Sequence, residues 1–148
     1  MFIALFAGCK KDNEKKIDTE YPVIDVTGTS AFPKQCSTVK RGQKFMFSAQ
    51  LSDNESLGSV SIDIHHNFDQ HTHSTEVESC NLDPKKTPVK PFLLIQTYNI
   101  PAGLKTYEVQ QEITVPADID AGDYHFMIRL TDKEGWQTIK GLSIKVIN

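Results

Sequence analysis

Apolar residues recur at every second position along most of this chain. Phe45, Phe47, Ala49 and Leu51 alternate with polar neighbours, and Val60, Ile62 and Ile64 do the same. Tyr107, Val109, Ile113 and Val115 form a further set, followed by Tyr124, Phe126, Ile128 and Leu130 and finally Leu142, Ile144 and Val146. A strand turns successive side chains to opposite faces, so each set predicts a strand with one buried face. Phe92 to Ile100 is a more continuous apolar and β-branched run, and Tyr21 to Val26 supplies a candidate first strand. Turn signals fall between the sets at Arg41-Gly42, Asp53-Asn54, Asp83-Pro84, Pro101-Ala102-Gly103, Ala121-Gly122-Asp123 and Glu134-Gly135. Helical periodicity is almost absent. About seven short strands at this spacing predict an all-β fold, an immunoglobulin-like antiparallel β-sandwich.

The segment Asp120-Ala121-Gly122-Asp123-Tyr124-His125-Phe126 resembles the tyrosine corner of immunoglobulin-like domains. There a tyrosine near the start of strand F stands two residues before the core cysteine position. Tyr124 would be that corner, with the ring of Phe126 in the cysteine's place. Thr131-Asp132-Lys133-Glu134-Gly135-Trp136 resembles an F–G turn. On this scheme Phe45–Leu51 is strand B, Ser59–His66 is C, Thr106–Val115 is E, Gly122–Thr131 is F and Gln137–Val146 is G.

The chain has 148 residues, enough for one domain and a tail. Its net charge of -3 excludes a strongly basic nucleic-acid surface. Met1 to Ala7 is apolar but too short to span a bilayer. It leads into Ala7-Gly8-Cys9, which resembles a bacterial lipobox with Cys9 as the lipidated residue. The alternative is a short buried N-terminal strand. A charged run with Lys10-Lys11-Asp12 and Glu14-Lys15-Lys16 follows and reads as a solvated tether. The expected organisation is a truncated lipoprotein signal over residues 1–9, a tether over 10–20 and a sandwich domain over 21–148. Lipidation of Cys9 would leave Cys36 and Cys80, an even pair that reads as one disulfide in an exported protein.

The family resemblance rests on the lipobox, on Ser61-Ile62-Asp63-Ile64-His65-His66-Asn67-Phe68-Asp69, on His71-Thr72-His73 and on Gly122-Asp123-Tyr124-His125-Phe126. Together these resemble a family of Bacteroidota lipoproteins filed as a domain of unknown function (DUF4625). The resemblance implies an outer-membrane lipoprotein of the cell envelope, surface-exposed or periplasmic, held to the membrane by its lipid. An envelope protein or a glycan would be its partner.

Candidate chemistry concentrates in one stretch. Four of the five histidines fall within the nine residues His65 to His73, with Asp69 among them. Strand alternation puts Ser61, Asp63 and His65 on the outer face of C, and His125, Met127 and Arg129 on the outer face of F. C and F are neighbours in this scheme, so His65 and His125 would face solvent side by side. His71 and His73 share a face if their segment is extended. Imidazole nitrogens suit zinc, copper or nickel. His65, His71, His73 and His125 are the candidate ligands, with Asp69 or His66 as orienting or alternative ligands. The alternative is a polar loop whose histidines bond backbone and water.

At the other pole, Asp53 and Asn54 of the B–C turn and Asp132 and Glu134 of the F–G turn are candidate calcium ligands. Ordinary turn chemistry explains the same residues. An exposed Trp136 would suit a glycan or protein contact, and Asp63 and Arg129 are placed to pair across strands. No phosphate-cradling glycine loop, nucleophile elbow or dinucleotide fingerprint is present. Three readings follow: a binding or accessory module with a metal-capable histidine patch, a metal-dependent hydrolase with Asp69 or Glu76 as base, and a structural adhesion domain.

Overall fold

The computed structural model describes residues 17–73 and 80–148. The lipobox with Cys9, most of the tether and Glu76 lie outside these residues. Eight strands are formed: β1 (Val23–Asp25), β2 (Ser37–Lys40), β3 (Lys44–Ser52), β4 (Leu57–His66), β5 (Leu94–Asn99), β6 (Thr106–Thr114), β7 (Gly122–Asp132) and β8 (Gln137–Ile147). They make two sheets, ordered β1-β3-β6 and β2-β8-β7-β4-β5. The fold is a β-sandwich, with C beside F as the immunoglobulin scheme implied, and with B beside E and F beside G.

The alternating sets became the core. Phe47, Leu51, Val60, Ile62, Ile64, Val109, Phe126, Ile128 and Leu130 are all buried. Phe47 and Phe126 meet between the sheets at 5.4 Å, and Phe45 adds a contact to Phe126 at 6.3 Å. The corner tyrosine forms as expected. The Tyr124 hydroxyl donates to the Asp120 carbonyl at 2.7 Å and accepts the Phe92 N–H at 3.0 Å. Burial pushes its phenol pKa above the ordinary value.

One strand is new relative to the sequence reading. β2 has four residues and pairs parallel to β8, whereas the expectation was antiparallel throughout. Only Val39 of β2 is buried, so its alternation is too short to register. Just before β2, Cys36 is bonded to Cys80. This bond ties the far part of the β4–β5 connection to the sheet edge.

Candidate metal centre

The long β4–β5 connection runs across the end of the sandwich. Connections of this length usually carry function or are disordered, and here the described parts are well anchored. The Asn67 N–H donates to the Asp123 carbonyl at 2.8 Å. Phe68 is 3% exposed and sets its ring against Tyr124 at 5.3 Å. Gln70 adopts a left-handed φ of 59°, which non-glycine residues rarely take. That turn carries His71 and His73 back over the outer face of the sheet.

On that face the β4–β7 register places His65 opposite His125. All six pairs among the rings of His65, His71, His73 and His125 are in contact, with centroids 4.5–5.7 Å apart. One ring nitrogen from each lies within 4.8 Å of those from the other three. His65 Nε2 lies 3.2 Å from His73 Nε2, within hydrogen-bond distance. A tetrahedral zinc with bonds of about 2.05 Å would space its nitrogens about 3.4 Å apart.

In two of the four rings the second nitrogen is held by a carboxylate. His65 Nδ1 bonds Asp63 Oδ1 at 2.8 Å, and His71 Nδ1 bonds Asp69 Oδ1 at 2.6 Å. With Nδ1–H donating outward, Nε2 of each ring carries its lone pair toward the group. Metal-bound histidines are commonly oriented in this way. The bond from His71 holds the Asp69 carboxyl below its ordinary pKa. Two carboxylates also match the charge of a divalent ion bound by neutral imidazoles.

The structure revises several expectations. His125 was expected to face solvent, yet it is fully buried. It does lie on the outer face, but the segment carrying His71 and His73 covers it, and its Nε2 donates to the His71 carbonyl at 3.2 Å. His66 does not join the group. It pairs with Tyr124 in register, so alternation turns it to the opposite face, where its ring packs on Phe68 at 5.0 Å. Asp69 orients His71 rather than converging with the other ligands. Asp63 bonds His65, while Arg129 stands opposite Ser61 in register. The role of Asp63 was missed, although Asp63-Ile64-His65 and Asp69-Gln70-His71 share one spacing that could have disclosed it. A groove of about 280 Å³ runs from His65 and His73 past Met127 to Arg129, with Ile95 and Ile139 on its walls.

At the other pole the residues regroup. Asp132 and Glu134 come together with Asp18, which no sequence signal had marked. Asp53 turns one carboxylate oxygen onto the N–H groups of Glu55 and Ser56. Asn54 reaches Asp18 Oδ1 through its amide nitrogen at 2.8 Å. Trp136 packs edge-on against Tyr21 at 5.0 Å, and its indole N–H donates to the Asp18 carbonyl.

A family model described as "Domain of unknown function (DUF4625)" matches residues 7–147. No curated protein matches the chain. Among solved structures, the GspB Siglec domain is similar at 20% identity and a TM-score of 0.45, covering 88% of this chain and 59% of that one. Spo0M, a sporulation control protein from Bacillus subtilis, is similar at 9% identity and a TM-score of 0.42, covering 86% of this chain and 49% of that one. The chain thus spans between half and three fifths of the length of these neighbours.

Proposed function

We propose, from the premise that this chain belongs to the DUF4625 family, that it is an exported, lipid-anchored binding module built on an immunoglobulin-like sandwich. Its working part is a transition-metal centre of His65, His71, His73 and His125. The observation that carries this reading is the mutual contact of all four imidazoles, two of them backed by carboxylates. His65 and His73 share one ring-to-ring hydrogen bond at 3.2 Å, and His125, the buried member, gives its Nε2–H to the His71 carbonyl. One divalent ion would use a lone pair from each.

Zinc suits a four-nitrogen set. Copper competes for the same ligands and binds imidazole more tightly. Four protein ligands complete a tetrahedral shell, which favours a storage, structural or accessory role over water activation. The left-handed turn at Gln70 is a strained feature placed directly before a ligand, as functional sites often show.

The test is titration of the 148-residue chain with zinc and with copper(II). One ion per chain is expected, and His71→Ala/His73→Ala should weaken binding by at least about 100-fold. Absence of binding by both metals at micromolar concentration would falsify the metal reading. Cys9 is the proposed anchor, which places the domain at the outer membrane of the envelope. Mass spectrometry of membrane-extracted chain should find acyl mass on Cys9 and none in Cys9→Ser; an unmodified Cys9 would reject the anchor.

A further inference from the structure

The pole opposite the histidines brings together three segments: Asp18 before β1, the β3–β4 turn with Asp53 and Asn54, and the β7–β8 turn with Asp132 and Glu134. Asp18 is 5% exposed and Asp132 is 4% exposed, while Glu134 lies at the surface. Each offers a carboxylate oxygen within 4.8 Å of the other two. Carboxylates this close repel unless a cation or a shared proton intervenes.

Three buried acceptors at this pole have no hydrogen-bond partner among the described residues. Asp132 Oδ1 takes the N–H groups of Gly135 and Trp136 at 2.6 and 2.8 Å, but its Oδ2 is buried without a hydrogen-bond partner among the described residues. Asn54 Oδ1 and Asp53 Oδ1 are buried in the same condition. Leaving a buried acceptor unmet costs about 1–3 kcal/mol, more when it is charged. Lys105 reaches this pole but is engaged by other groups: it donates to the Asn54 carbonyl at 2.7 Å and stands 4.0 Å from Glu55.

We propose that this pole binds a calcium ion through Asp18, Asp132 and Glu134, with Asn54 Oδ1 as a neutral ligand. An all-oxygen set of carboxylates and an amide is the chemistry of a hard cation. Calcium accepts the irregular, partly hydrated arrangement that three separate segments provide, whereas magnesium demands a near-ideal octahedron. The ion would clamp the chain entering the sandwich to both turns, fixing the direction from which the preceding segment arrives. This site is separate from the histidine centre in position and in ligand type.

The chain reports on the site itself, because Trp136 is its only tryptophan and bonds the Asp18 carbonyl. Titration of the 148-residue chain with calcium should change Trp136 emission saturably, with half-saturation below about 1 mM, and should raise Tm. Glu134→Gln removes one ligand at an exposed position and should weaken binding at least about tenfold. Asp132→Asn keeps a side-chain oxygen for the turn N–H groups and should do the same. His71→Ala/His73→Ala should leave the response intact. No response to about 10 mM calcium by the folded chain overturns the proposal and leaves a shared proton between the buried carboxylates. An equal response to magnesium also overturns it, since charge screening would then suffice.

Discussion

Phe126→Ala is expected to lower the unfolding free energy by about 4 kcal/mol, the middle of the range for a buried aromatic. The ring is fully buried and touches Phe47 and Phe45, so it joins the two sheets directly. β7 is paired on both sides, with β4 and with β8. A strand fixed on both edges cannot move to fill the space left behind, and the cost of a cavity rises with the volume that stays empty. Phe126→Leu should cost only about 1 kcal/mol because it refills most of that volume. Urea unfolding measures both, with an unchanged m-value as the sign that compactness is kept. A loss under about 1 kcal/mol in the alanine variant would mean that the sheets do not depend on this ring. The neighbour His125 points to the opposite face, so the same strand carries a packed core on one side and the histidine cluster on the other.

The legible part of the fold was the pleat. Val60, Ile62 and Ile64, like Tyr124, Phe126 and Ile128, gave the buried face of each strand, because a one-residue slip would expose every one of them. The pairing of the two strands came from the resemblance to the immunoglobulin scheme. That scheme, with the alternation, put His65 beside His125 on the outer face, and the structure pairs them in register. β2 was not legible, since four residues with one buried side chain carry no period. The covering of His125 was not legible either. It depends on long-range bonds that fold the connection back, such as Gln70 Nε2 to the Asp83 carbonyl and the Asp83 N–H to Asp123 Oδ2. His66 was misjudged because adjacency in sequence is opposition in a strand. Asp18 left no trace at all, as its only link to Asp132 is through space.

Removing the disulfide with Cys36→Ser/Cys80→Ser should cost about 4 kcal/mol in the chain-entropy model for a loop of this length. For a domain of this size that is a fall in Tm of about 10–15 °C. The cross-link spans 44 positions and encloses β2, β3, β4 and the histidine segment. Its main effect falls on the unfolded chain, which gains freedom when the bond is gone. The folded state keeps other ties across the same region. Lys145 Nζ bonds Asp83 at 2.8 Å and lies 3.3 Å from Asp123, and the bond to Asp83 raises the lysine pKa. Phe68 stays buried, and Asn67 stays bonded to Asp123. The folded double variant should therefore bind zinc within about tenfold of the parent, a change of no more than about 1.4 kcal/mol. Thermal unfolding and zinc titration of the same sample separate the two effects. A Tm change below about 5 °C would show that the bond does not restrain the unfolded chain. A collapse of zinc affinity with the fold retained would instead make the disulfide the brace that holds His71 and His73 over His125.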